Sequence, residues 1–418
     1  MLDPLGPFEP SPRLAVAASG GGDSTALTLL ADSWARRRGG HVLALVVDHG
    51  LRPDSAAEAA LTAARLRARG IATDILPLAG LTRGPALAAR ARAARYAALD
   101  AACAAAGRVH LLLGHHAGDQ AETLAMREQG GSGPAGRAAM PALAETGRVR
   151  LLRPLLTVPP ARLRALLIAD GMGWVEDPSN TDPTTLRARL RAARADPGGI
   201  GPATQAAVAE SAAAGRVRHW AEREAAAAMA RHARLYPEGY ALLAPGALPA
   251  AALAALLRVI AGADFAPAPA RVAALAAALR PATLGGVRLL RAGRLRPGGW
   301  LLVREAAAMA GAVPARPGAV WDGRFRLGAG IAPPAGLTLG ALAAAAPRVR
   351  RRSALPDAVL RTLPALWRDR VLVAVPVLGY PDVSWCRICP TEFVPRSPAA
   401  GAPFVPPPRA RWREAGAA

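Results

Sequence analysis

The 418-residue chain contains no lysine, so all 52 of its Lys+Arg positions are arginine. A Walker A loop needs the lysine of its Gly-Lys-Ser/Thr end, a protein kinase needs its strand lysine, and Schiff-base chemistry needs an amine. All three are excluded. Three cysteines, Cys103, Cys386 and Cys389, are too few for a disulfide framework. Aromatic residues make up only 4% of the chain, so its cores must rest on alanine, leucine and valine. Residues 1–13 carry neither a basic opening nor an apolar run, and no signal peptide is expected. The uncharged stretches 241–257 and 327–347 are broken by Pro and Gly, so no membrane helix is expected. The reading is a soluble cytoplasmic protein.

What is present is positive charge. Fifty-two arginines against 30 acidic residues give a formal charge of +22, which favours a polyanionic partner because arginine grips phosphate bidentately. The Ala, Arg, Gly and Pro bias also matches what GC-rich codons encode, so charge alone does not carry the function. Length and 52% apolar content fit two or three domains with sizeable cores.

Along the chain, apolar runs at 14–18, 42–48, 71–78 and 109–114 read as strands. Helical stretches at 24–38, 54–69 and 85–106 separate them. The runs lack alternation, as strands buried on both faces should. They predict an α/β fold with a Rossmann-like, doubly wound parallel sheet, whose ligands bind at the carboxyl ends of the strands. A glycine-rich loop at 129–136, a strand at 151–156, a helix at 159–170, a turn-rich segment at 176–185 and an arginine-studded helix at 186–194 follow. The expected division is a catalytic nucleotide-binding domain over 1–200, a helical arm and binding module over 201–314, and a small C-terminal module over 315–418. The arm begins with a long alanine-rich helix at 203–235, and the tail around 403–408 is expected to be extended.

Three segments carry chemistry. Ser19-Gly20-Gly21-Gly22-Asp23-Ser24 follows the first strand and opens a helix, where backbone N–H groups converge and glycine admits a phosphate. Ser19 and Ser24 add hydroxyls, and Asp23 can hold a Mg²⁺ that bridges phosphates. The second strand ends in Val47-Asp48-His49-Gly50-Leu51-Arg52, which places His49 over that loop. The fourth runs into His115-His116-Ala117-Gly118-Asp119-Gln120-Ala121-Glu122-Thr123. Asp119 and Glu122, three apart on a helix, can hold Mg²⁺ or accept a proton. The paired histidines have no cysteine or third histidine nearby, so zinc is not expected. Cys386 and Cys389 have CxxC spacing without a second pair and read as an accident of sequence.

The first motif resembles the pyrophosphate-binding loop of the PP-loop ATPases, which cleave ATP between its α- and β-phosphates and need no lysine there. Taken in order, the three segments resemble the tRNA(Ile)-lysidine synthase family. Ala91-Arg92-Ala93-Ala94-Arg95-Tyr96, Gly130-Gly131-Ser132-Gly133, Arg153-Pro154-Leu155 and Trp174-Val175-Glu176-Asp177-Pro178-Ser179-Asn180 extend the match over about residues 13–195. A weaker echo lies at Ser353-Ala354-Leu355-Pro356 and Leu363-Pro364-Ala365-Leu366-Trp367.

The resemblance implies that ATP adenylates the C2 oxygen of the wobble cytidine in tRNA(Ile) with anticodon CAU. The ε-amine of free L-lysine then displaces AMP, giving lysidine. It implies ATP on residues 19–24, catalytic roles for Asp119, Glu122 and Arg95, and substrate contacts at His49, His115, Arg187 and Arg191. Mg²⁺ would sit at Asp23 and Asp119, and arginines at 187–194 and 348–352 would meet tRNA phosphates. Three positions depart from the family pattern: Gly118 replaces its first Asp, Ala188 its Asn, and Gly130 its usual Arg. Rival readings are a PP-loop tRNA thiolase, a small-molecule amidating synthetase, and a tRNA-binding homologue with a decayed site. The sequence leaves the oligomeric state open.

Overall fold

The computed structural model describes all residues except 79, 83, 85, 147, 177–183, 331 and 409–418. The Asp177–Asn180 part of the family match therefore lies outside the described residues. The chain divides into two compact units, 1–220 with 402–418, and 221–401.

In the first unit the elements run β1 (Arg13–Ala17), α1 (Gly22–Arg36), β2 (His41–Asp48), α2 (Ser55–Ala68), β3 (Ala72–Pro77), α3 (Leu87–Ala105) and β4 (His110–Leu112). They continue with α4 (Ala117–Gln129), β5 (Leu143–Glu145), β6 (Arg150–Leu152), α5 (Pro160–Ala169) and α6 (Leu186–Arg194). The sheet order is β3-β2-β1-β4-β6-β5, parallel throughout except for β5. Leu14, Val16 and Val42 pack with Leu27 of α1, Leu66 of α2 and Leu167 of α5. Ala15, Ala17 and Leu45 pack on the opposite face with Leu99 and Cys103 of α3. Each strand is thus covered on both faces, which is why its sequence is apolar without alternation. The expected doubly wound sheet is present. The strand expected over 151–156 ends at Leu152, where Pro154 lacks the N–H that would continue the ladder. The short antiparallel β5 is an element that periodicity does not announce.

β5 would be a bare edge, and the tail covers it. The Ala142 N–H donates to the Val405 carbonyl at 2.8 Å, and Leu143 and Val405 form an antiparallel bridge. The neighbouring Phe404 is only 4% exposed, and its carbonyl accepts from His219 Nδ1 at 2.8 Å. Pairing an edge in this way blocks addition of another strand. Phe404→Ala is expected to destabilise the first unit by about 3–5 kcal/mol, the range for emptying a buried aromatic site. Denaturant melting measures it, and an unchanged midpoint would mean the tail contributes nothing.

A 31-residue helix, α7 (Pro202–His232), contributes to both units. Residues 233–235, expected to prolong it, instead open β7 (Ala233–Tyr236). The second unit continues with β8 (Tyr240–Leu243), α8 (Ala250–Ala261), α9 (Pro269–Ala277), β9 (Ala282–Leu284), β10 (Val287–Arg291) and β11 (Trp300–Arg304). These strands form an antiparallel sheet in the order β7-β8-β11-β10-β9. α8 and α9 pack on one face, while Leu342, Val349, Val359 and Leu363 pack on the other. That second core joins residues on either side of position 314, so the division expected there falls inside one compact unit. Among the described residues, no helix is long and apolar enough to cross a membrane.

Candidate active site

The strand order reverses between β1 and β4, and a cleft of about 490 Å³ opens at their carboxyl ends. Its walls bring together Ser19, Gly21, Asp23 and Ser24 of the loop, His49, Arg95 of α3, His115 and Asp119. Arg52, Glu58, Arg92 and Tyr96 also line it. Glu122, Arg187 and Arg191 are not among its lining residues, nor are Gly20 and Gly22, which shape the turn behind the wall.

The loop is built for close approach. Gly20 has φ +83°, and a Cβ there would stand 2.4 Å from Thr62 Oγ1, so both backbone and space demand glycine. Ser24 Oγ accepts the Ser19 N–H at 3.0 Å and donates to the Gly21 carbonyl at 3.0 Å, closing the turn. Ser19 Oγ lies 3.1 Å from Ser24 Oγ. At the start of α1 the N–H groups of Gly22, Asp23 and Ser24 have no partner within the helix, and the helix dipole adds positive character. This is an anion site by construction.

Two carboxylates face it. Burial pushes the Asp23 carboxyl up from its ordinary value, and the like charge of Asp119 adds to this against the pull of His116. Burial also works to raise Asp119, but His116, His115, the His116 N–H and Arg187 outweigh it. Asp119 is therefore held below the usual carboxylate range and is ionised at neutral pH. Burial drives His115 down to about 4, so that ring is neutral. Its Nδ1 is buried without a hydrogen-bond partner among the described residues.

Glu122 is occupied otherwise. It is 1% exposed, and Arg191 donates to both its oxygens, Nε at 2.8 Å and Nη2 at 3.2 Å, tying α6 to α4. Arg187 is exposed and acts on Asp119 and His115 through its charge. On the other wall, His49 Nδ1 accepts the Leu51 N–H at 3.1 Å, which orients the ring.

Sequence reasoning weighed His116 only as half of a histidine pair unsuited to zinc and gave it no role, yet its ring nitrogen Nε2 lies 3.5 Å from Asp23 and 3.6 Å from Asp119. Its Nδ1 and the Asp119 carboxylate form a reciprocal cap on α4. The available signal was the carboxylate three residues later, the spacing of a capping box.

A doubly wound sheet with a glycine-serine anion loop after β1 and carboxylates opening α4 defines the PP-loop class, and the PP-loop domain family matches residues 2–195. The chain is 35% identical to the tRNA(Ile)-lysidine synthase of Ruegeria pomeroyi, over 89% of this chain and 90% of that one. It is 37% identical to that of Caulobacter vibrioides over 86% and 85%, respectively. The chain belongs to the tRNA(Ile)-lysidine synthase family. A match at 44% identity to the Bradyrhizobium sp. (strain BTAi1) protein is more local, covering 44% of this chain and about half, 52%, of that relative's length.

Proposed function

We propose that the protein ligates free L-lysine to C2 of the wobble cytidine in tRNA(Ile) with anticodon CAU, at the expense of ATP. The C2 oxygen attacks the α-phosphate and releases pyrophosphate. The lysine ε-amine then attacks C2, loses a proton and expels AMP. The observation that carries this reading is the meeting, in one cleft, of a lysine-free anion loop and an ionised carboxylate, Asp119.

Each residue has a physical task. The loop N–H groups and the Ser19 hydroxyl hold phosphate oxygens, Ser24 closes the turn behind them, and Arg95 adds positive charge against the transferring phosphoryl group. A free lysine amine titrates near ~10.4 and arrives as an ammonium. Asp119 pairs with that charge and takes a proton from the ammonium, freeing the lone pair that then forms the C–N bond, and the nitrogen's second proton leaves as AMP is expelled. Glu122, held by Arg191, keeps α4 and α6 together instead of serving as a free base.

The donor set suits Mg²⁺. That ion is commonly bound by one or two carboxylates together with substrate phosphates, and Asp23 and Asp119 repel one another in a buried site. When bound, the ion would neutralise phosphate charge.

Exposed Arg187 and Arg189 on α6, and Arg348, Arg350 and Arg351 in the second unit, are the phosphate contacts proposed for the tRNA. Such a substrate places the protein in the cytoplasm. Thiolation is disfavoured because burial pushes the Cys103 thiol, the one cysteine in that domain, up to about 11.

The test is incorporation of labelled lysine into a CAU-anticodon tRNA(Ile) transcript. Label should enter RNA only when ATP, lysine and RNA are all present. Failure under every condition would sink the ligase reading and leave the decayed homologue.

A further inference from the structure

We propose that His116 is a positioning residue for the paired carboxylates, and that glycine at position 118 is what admits its ring. His116 stands at the N-cap of α4 with an extended backbone, φ −122° and ψ −175°. Its Nδ1 accepts the Gly118 N–H at 3.0 Å and the Asp119 N–H at 3.4 Å. A nitrogen that accepts carries no proton, so the neutral ring bears its hydrogen on Nε2. That Nε2 faces Asp23 Oδ2 at 3.5 Å and Asp119 Oδ2 at 3.6 Å. One ring therefore caps the helix with one nitrogen and sets the positive end of its other N–H bond between two carboxylates that repel.

The space for this pose comes from residue 118. A Cβ there would stand 2.9 Å from His116 Cε1, closer than real Cβ atoms come, and 3.1 Å from Nδ1, a tight contact. Any side chain at 118 must push the ring aside, and with it the cap and the bridge. Gly118, read from sequence as a lost carboxylate, is on this account also what leaves room for the ring between the two carboxylates that remain.

The two residues should behave as one unit, which a double-mutant cycle can read. Gly118→Ala would by helix propensity alone raise the melting temperature. The proposal expects a fall, because the ring is displaced. His116→Asn keeps a good N-cap but removes the ring, so in that background Gly118→Ala should raise the melting temperature instead. The kinetic arm rests on the ligase reading. There His116→Asn should lower kcat for lysine incorporation by about 10–100-fold, the usual effect of losing an orienting partner, with KM for ATP nearly unchanged. Adding Gly118→Ala to it should cost nothing more. Equal melting shifts for Gly118→Ala in both backgrounds, or an unchanged kcat for His116→Asn, would overturn the proposal. If the wild-type chain incorporates no lysine, the ligase reading fails, while the melting cycle still decides whether Gly118 and His116 are coupled.

Discussion

Asp119→Asn is expected to slow lysine incorporation by about 10²–10⁴-fold, the range for removing a positioned proton acceptor. The substitution keeps the volume and an oxygen that can still accept the His116 N–H, which the aspartate accepts at 3.0 Å. What it removes is the negative charge of a carboxyl held below its usual range against burial, with the His116 N–H bond and the Arg187 charge both favouring the ionised form. Loss should therefore fall on the lysine-dependent step. Pyrophosphate release in the absence of lysine should suffer less, since the loop N–H groups and the Ser19 hydroxyl are the groups proposed to hold the phosphates. Single-turnover assays with and without lysine separate the two. Comparable losses in both would make Asp119 a phosphate-side residue, and no loss in either would remove it from the site. Melting of the variant beside the wild type controls for folding.

The parts of the first unit that are legible in sequence are those where local chemistry and tertiary burial agree. β1, β2 and β4 are buried on both faces, so Leu14 to Ala17 or Val42 to Val46 can only be apolar. The loop at 19–24 is legible because a left-handed Gly20 pressed against Thr62 tolerates nothing else. β5 escapes because three residues, Leu-Ala-Glu, are too short to show a period, and it is held between β6 on one side and Val405, far along the chain, on the other. The second unit is legible only in fragments, since strands of two to five residues broken by Pro and Gly carry little periodic signal. At the site, Asp23, Asp119, His49 and His115 line one cleft, as their places just beyond strand ends suggest, and Arg95 joins them from α3, where the family resemblance alone pointed to it. His116 is hidden for a different reason. Histidine is not a usual N-cap, and its role depends on a ring pose that only an absent side chain at 118 permits. The pairing of Glu122 with Arg191 is likewise invisible, because 69 positions separate them and each alone reads as a site residue.

That pair supports the second large expectation. Arg191→Ala should destabilise the first unit by about 3–5 kcal/mol, the range for breaking a buried ion pair and leaving one charge uncompensated. The two partners are not equivalent. The Glu122 side chain is 2% exposed, whereas that of Arg191 is 38% exposed. Removing the arginine leaves a nearly fully buried carboxylate without its ion-pair partner. Removing the carboxylate leaves a guanidinium that can turn to solvent. Glu122→Gln should therefore cost less than Arg191→Ala, and the double variant Glu122→Gln, Arg191→Ala should recover part of the loss, since a neutral amide needs no cation. If charge were irrelevant and only packing held α6 on α4, the double variant would be the least stable of the three. Urea melting of the four proteins decides between these orders. The same series reads function, because α6 also carries Arg187, whose charge helps hold Asp119 ionised. An untethered α6 should weaken that influence, so Arg191→Ala should lower lysine incorporation beyond the fraction of protein that unfolds.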